Sequence, residues 1–268
     1  MKNKLLWLIM LMSIMFAFIF IPGTASAKTY GGEFDGATKD KNGNPYTNVW
    51  IFDEASATLY VEGYGVLPEM KEGAAPWAAH SGAIEHLIVE DGITTIGKSD
   101  FASLSKLKDV SIPKSVTNIE MRAFQNCTSL ESITIPGTVK VIGDMSFLGC
   151  TSLKTVVFED GIEKINCNMF NGCKALEDVY VYGMETQISR QRSNQDDGVL
   201  FRGCDFEKLT AHCYAGSDAE DYFVNDIYTI TNWSSDRYTG EETTQSYAKK
   251  PNYMVAGGYT LKVEYITK

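Results

Sequence analysis

Apolar residues recur along this chain in columns 23 positions apart. Ile84, Leu107, Leu130, Leu153 and Leu176 open five rows, and three places on stand Leu87, Val110, Ile133, Val156 and Val179. Five places on come Val89, Ile112, Ile135, Phe158 and Val181; nine on, Ile93, Val116, Val139 and Ile162; twelve on, Ile96, Ile119, Ile142, Ile165 and Ile188. Phe101, Phe124, Phe147 and Phe170 form a further column, followed three places later by Leu104, Cys127, Cys150 and Cys173. With 44% of the residues apolar, chance agreement of these columns is on the order of 10^-11. A fixed period of this length means an array of units that share one core.

Each row translates into backbone. In Leu107 to Ile112 the last two apolar residues are β-branched and two apart, which places them on one face of a strand. Pro113, Pro136-Gly137, Asp91-Gly92 and Asp160-Gly161 then turn the chain. A second short strand carries the isoleucine column, and the three-residue spacing of Phe-x-x-Cys predicts a single helical turn. One such unit cannot bury its apolar face alone, so the rows must stack into a solenoid with a continuous parallel sheet, strands about 4.8 Å apart. The fifth row loses its phase after Ile188, and Phe201 with Cys204 restores the Phe-x-x-Cys pair eight residues late. This places an insertion at 189–198. A sixth row is expected with Phe206, Leu209 and Ala211 in its first three apolar places.

Two rows read LKDVSIPKSVTNIEMRAFQNCTS and LESITIPGTVKVIGDMSFLGCTS. They closely resemble the BspA-like, treponemal-type leucine-rich repeats of bacterial surface proteins, with the same order of strand, IP turn, V-x-x-I and AF-x-x-C. The resemblance implies an α/β repeat solenoid over 84–231, a right-handed superhelix with a parallel sheet. The stretch from Trp50 to Trp77 looks like the β-rich segment that precedes such repeats, giving an N-terminal cap over 28–83. LTAHCYAGSDAEDYFVND resembles the family's helical closing unit, and Ser217 with Glu220 forms a capping box for its helix. The tail 232–268 departs from the family. Its GGYTLKVEYITK alternates like a strand that pairs back onto the body or opens another domain.

Residues 1–27 read as a secretory signal. Lys2 and Lys4 precede an apolar run from Leu5 to Ile21, Pro22-Gly23 break it, and Ala25-Ser26-Ala27 offers a cleavage site before Lys28. The rival is an uncleaved anchor helix, since about 17 apolar residues nearly span a bilayer. Cleavage leaves a chain with no further membrane insertion, secreted or associated with the cell surface. No cysteine follows the apolar run and no sortase-type signal is seen, so no covalent anchor is expected.

The formal net charge of -10 argues against nucleic acid or anionic lipid as partner, because both need a basic surface to displace counterions. Three histidines, His80, His86 and His212, leave little for metal or general-base chemistry. No cofactor is expected. Six cysteines suggest disulfides by parity, yet Cys127, Cys150, Cys173 and Cys204 share a column in which Leu104 serves equally well. Stacked side chains that point the same way do not present the facing vectors of a disulfide, so these read as buried thiols. The pairing of Cys167 and Cys213 is open. Asp40-Lys41-Asn42-Gly43-Asn44 mimics a calcium loop, but Pro45 replaces its glycine and Ile51 its acid, so a hairpin turn at Asn42-Gly43 is the better reading. Asp196-Asp197-Gly198 fails the same test, with Cys204 in the acid's place. No nucleophile elbow, H-E-x-x-H pair, phosphate loop or zinc cluster occurs. A pair of carboxylates in a cleft is all a glycosidase needs, but the acids here fall at turn and outward positions.

The remaining candidate is the outward strand face. One of its columns is His86, Asp109, Ser132, Thr155, Asp178 and Lys208; the next is Ile88, Ser111, Thr134, Val157, Tyr180 and Thr210. Val157 beside Tyr180 makes an apolar and aromatic anchor pair of the sort that concentrates binding energy. Solenoids bind through such faces, and the resemblance implies non-catalytic recognition of host or neighbouring-cell proteins or glycans. The alternatives are a structural spacer or accessory domain of a surface assembly without a ligand of its own and, second, a glycan hydrolase with an unrecognised acid pair. Oligomeric state is not legible.

Overall fold

The computed structural model describes residues 28–39, 42–43, 45–67, 70, 74–166, 168–189, 200–226, 254–255 and 259–266. The signal and its cleavage site, Cys167, the Asp196 loop and nearly all of the insertion lie outside the described residues. Strands β1 (Thr29–Lys39) and β2 (Pro45–Asp53) form an antiparallel hairpin in which Lys39 faces Pro45 and Gly43 takes φ +82° at the turn. β2 pairs antiparallel with β3 (Thr58–Glu62), which is short like the repeat strands.

From β3 on the chain winds as rungs, each with a strand on two of its sides. After β4 (Gly65–Val66) come β5 (His86–Val89) and β6 (Ile93–Ile96), then β7 (Asp109–Ser111) and β8 (Asn118–Ile119). β9 (Ser132–Ile135) and β10 (Val141–Ile142), β11 (Thr155–Phe158) and β12 (Lys164–Ile165), and β13 (Asp178–Val181) and β14 (Gln187–Ile188) repeat the pair. The register is that of the apolar columns: Val156 lies opposite Ile133 and Val179, and Ile142 opposite Ile119 and Ile165. Leu107, Leu130, Leu153 and Leu176 are all fully buried. Rung geometry already begins at Thr58, within the segment read as a cap, because β3 runs parallel to β5 and β4 to β6.

The third side corrects the expected helical turn. It is built of turns with two left-handed residues per rung: Ser99, Arg122, Met145 and Asn168 before each phenylalanine, and Ser103, Asn126, Gly149 and Gly172 after it. A helix bonds its amides along its own axis, whereas here the N–H groups of Arg122, Phe124 and Asn126 donate across to the Asp144, Ser146 and Leu148 carbonyls of the next rung. Satisfying the backbone between rungs wins over local helix. The only α-helix among the described residues is α1 (Asp218–Asp221), continued by a π-helical stretch over Tyr222–Asp226.

Inside the stack the phenylalanine column is an aromatic ladder. Trp77, Phe101, Phe124, Phe147, Phe170, Phe201 and Phe223 follow one another with ring centroids between 5.3 and 6.1 Å apart. Trp77 and Phe223 are its two ends. Beside it the Sγ of Cys127, Cys150, Cys173 and Cys204 donate to the carbonyls of Phe101, Phe124, Phe147 and Phe170, all at 3.1–3.2 Å.

Two further expectations are corrected. The outward sheet is not continuous: it runs β1-β2-β3-β5-β7 and then β9-β11-β13, followed by β15 (Thr210–Cys213) and β18 (Lys262–Tyr265), while the sheet from β4 to β14 is unbroken. The break falls at the proline rungs. Glu90, Glu159 and Tyr182 each donate their N–H to the preceding rung, but Pro113 and Pro136 hold the same place and have no N–H to give.

The sixth row is also shifted by two residues. β15 (Thr210–Cys213) pairs with β13 so that Asp178 faces Thr210, Val179 Ala211, Tyr180 His212 and Val181 Cys213. Thr210 and His212 therefore occupy the columns expected for Lys208 and Thr210. A strand's faces alternate with period two, so a slip of two keeps the inward and outward pattern intact and is invisible to it. Beyond β15, β16 (Met254–Val255) pairs antiparallel with β17 (Tyr259–Thr260), and β18 (Lys262–Tyr265) lies parallel to β15.

Ser217 caps α1 by accepting from the Glu220 N–H at 3.1 Å. The Glu220 carboxylate reaches back one residue further than a capping box does, to the Gly216 N–H at 2.7 Å, and takes the Tyr265 hydroxyl at 2.6 Å.

Candidate functional site on the strand face

Alternation along the strands turns one set of side chains outward on every rung. His86, Asp109, Ser132, Thr155, Asp178 and Thr210 line up in one column, and Ile88, Ser111, Thr134, Val157, Tyr180 and His212 in the next. Asp109, Ser111, Ser132 and Thr134 are exposed; His86, Ile88, Thr155, Val157, Asp178 and Tyr180 are half-buried. His86 Nδ1 meets Asp109 Oδ2 at 2.7 Å across one rung. The middle of the face is thus small and polar, and the bulky groups gather at its C-terminal end.

That end is organised by His212, which the row alignment had missed. Its ring lies on Tyr180 with centroids 4.1 Å apart and planes 8° from parallel. Its Nε2 stands 2.8 Å from Asp178 Oδ1, and its Nδ1 3.5 Å from Glu264 Oε2 on β18. Only 11% of the side chain is exposed. Tyr182 continues the stack at 6.2 Å from Tyr180, and Tyr214 meets Tyr182 edge to face at 6.3 Å. Burial first, then the charge on Asp178 and the neighbours Tyr182 and Glu264, push the Tyr180 phenol up. Lys262 bonds Glu264 and holds its carboxyl down. Four aromatic rings, two carboxylates and an ammonium therefore share one patch. A signal for His212 existed in the sequence: one extra residue separates Phe201 from its strand, compared with the rows before it.

The edge where the strands end in turns is predominantly acidic. Its two positions hold Glu62, Glu90, Asp91, Glu159 and Asp160, against Lys114 alone. Glu62 and Glu90 sit on adjacent rungs, and burial, then the Glu90 charge, raise the Glu62 carboxyl. The same Glu62 helps burial to raise Tyr46, whose ring meets Tyr64 edge to face at 4.9 Å. The opposite edge is balanced instead: Glu85, Lys108, Glu131, Lys154 and Glu177 alternate, with Lys108 Nζ 2.5 Å from Glu85 and Lys154 Nζ 3.7 Å from Glu131.

Among the described residues no three His, Cys, Asp or Glu side chains are grouped to hold a metal ion. Cys127, Cys150, Cys173, Cys204 and Cys213 are free thiols. Burial pushes Cys127 and Cys173 up to about 12 and Cys213 up to about 11, far from the thiolate a nucleophile needs.

Residues 79–194 match the BspA type Leucine rich repeat region in 6 copies. Similar solved structures include a leucine-rich repeat protein from Eubacterium ventriosum, at 19% identity and TM-score 0.43, with 62% of this chain and 45% of that one covered. The Leucine Rich Repeat protein of T. pallidum matches at 19% identity and TM-score 0.40, covering 57% of this chain and 77% of its own. The pneumococcal vaccine antigen PcpA matches at 19% identity and TM-score 0.40, covering 62% and 41%. This chain thus spans under half the length of the Eubacterium protein. No curated protein matches it.

Proposed function

We propose, from residues 79–194 being BspA-type leucine-rich repeats, that this chain is a secreted or surface-held recognition module that binds protein or glycan without catalysis. Residues 1–27 would direct export, 28–83 would cap the stack, 84–231 would form the repeats with their closing helix, and 232–268 would be a tail whose strand adds to the sheet. The binding surface is the outward strand face, with His86, Ile88, Asp109, Ser111, Ser132, Thr134, Thr155, Val157, Asp178 and Tyr180, joined by His212.

One observation carries the reading: Tyr180 and His212 stack on that face, held by carboxylates from the rungs on either side. Rigid aromatic groups fixed in place lose little freedom on docking, which is why such groups dominate binding energy. The carboxylates of this patch are engaged with the imidazole and with Lys262, rather than facing each other across a cleft as in a glycosidase.

The test is capture by residues 28–268 of matrix proteins and arrayed glycans, with Tyr180→Ala and His212→Ala as comparison. A partner whose affinity falls about tenfold or more in both variants supports the reading. Unchanged capture of every partner by both variants leaves only a spacer.

A further inference from the structure

We infer that two copies of this chain join through the outer edge of β18, strand to antiparallel strand about a two-fold axis at Val263, with Lys262 of each copy facing Glu264 of the other. The pairing needs no further partner, so it stands apart from the recognition role proposed above.

The apolar stack is left open at this end. Val179 and Ala211 are fully buried, but Val263, the next residue of their inward column, is half-buried. Val181 and Cys213 are likewise buried, and Tyr265 beyond them is 54% exposed. A repeat array needs a polar terminal unit over its last apolar layer, and the inward side of β18 is valine and tyrosine instead. Among the described residues Val66 is the other exposed large apolar side chain, and it lies on the two-residue β4, whose pairing shifts.

The backbone of β18 presents an edge as well. Ile266 donates its N–H to the Cys213 carbonyl, so by alternation the peptide groups of Leu261, Val263 and Tyr265 point the other way. Among the described residues no strand lies on that side, where the sheet ends. Such an edge is a template for another strand unless a bulge, a proline or an inward-pointing charge blunts it. β18 has none of these. At other sheet ends β1 carries a bulge between Glu33 and Ala37, α1 packs on β14, and β7 and β9 face each other across the proline rungs.

The residue order Leu-Lys-Val-Glu-Tyr selects a second copy as the occupant. Turning the strand about an axis normal to the sheet through Val263 sets Lys262 opposite Glu264 of the second copy and Leu261 opposite Tyr265. Opposite charges then meet on the outward side and apolar groups on the inward side. Val263 with its own counterpart, and Leu261 with Tyr265, form the hydrogen-bonded pairs, because theirs are the peptide groups that point outward from the edge. Lys262 and Glu264 fall at the places between, where facing side chains approach most closely. They already pair within one strand, and the two copies complete a ring of alternating charge. The outward sheets become one face, with the two His212 side chains three strand spacings apart, about 14 Å. An edge of four residues is small beside a standard interface of about 1,600 Å², so the dimer is weak.

Sedimentation equilibrium of the exported chain, residues 28–268, over about 10 to 500 μM reads the association. The parent should dimerise. Lys262→Glu and Glu264→Lys, which set like charges opposite each other, should each weaken self-association about tenfold. Mixing these two variants sets opposite charges at every facing pair, so the mixture should dimerise at least as tightly as the parent. Val263→Pro removes an N–H that points only to the outer edge and should abolish the dimer while β18 stays on β15. Protection of the Ile266 amide from hydrogen exchange reports that β18 is in place in every variant. A parent that stays monomeric over the whole range overturns the proposal. So does a dimer that Val263→Pro leaves intact, or a mixture of the two charge variants that stays monomeric while Ile266 is protected in each.

Discussion

Tyr180 lies face to face with His212, 4.1 Å between ring centres and 8° from parallel, although 32 residues separate them in the chain. They meet because β13 and β15 pair directly across the insertion. An aromatic stack of this kind is worth about 1 kcal/mol beyond the area it buries. A double-mutant cycle of Tyr180→Ala and His212→Ala, read by urea unfolding, should give a coupling of about that size. Strict additivity would mean that the stack contributes nothing.

The aromatic ladder should dominate stability. Phe147 is fully buried between Phe124 and Phe170, so Phe147→Ala removes contacts on both faces and leaves a cavity that neighbouring rungs cannot fill. A loss of about 3–5 kcal/mol is expected. Phe147→Leu, which keeps most of the volume, should lose markedly less. Equal losses in chemical denaturation would show that ring stacking and cavity size do not set the cost.

The thiol column should be silent in the folded chain. With Cys127 and Cys173 pushed from 9.0 to about 12, no thiolate forms at pH 8. Alkylation by iodoacetamide should leave these two unmodified until urea is added, as read by peptide mass mapping. The pKa is higher folded than unfolded, so the stability tied to these thiols is intact below pH 9. It falls as pH rises towards 12. Rapid native labelling of Cys127 at pH 8 contradicts this.

Glu62 should be a small liability at neutral pH. Its carboxyl is raised in the folded chain by burial and by Glu90, so folding disfavours the charged form. The folded state gains from this group below the unfolded value and loses that gain as pH rises through the folded one. Glu62→Gln should therefore raise Tm at pH 7 and leave it nearly unchanged at pH 4. A lower Tm at pH 7 would show that Glu62 has a stabilising partner.

Much of the architecture is legible because a solenoid must superimpose like residues. Leu107 on Leu130 and Ile119 on Ile142 follow from the 23-residue spacing, since that offset brings all the apolar columns into line at once. The free thiols were legible for the same reason, as one column cannot aim two sulfur atoms at each other. The helical turn was misread because three-residue spacing also fits a turn with left-handed residues on both sides. Nothing in Ser99, Arg122 or Met145 as residue types announces a positive φ.

The site divides along the same line. Spacing was enough to place Asp178, Tyr180 and Val157 on one outward face, because alternation is a local property of a strand. The chain alone could not place His212 beside Tyr180 or Glu264 beside His212. A slip of two residues leaves alternation intact, and only packing of Ala211 and Cys213 against Val179 and Val181 selects the register that brings those groups together.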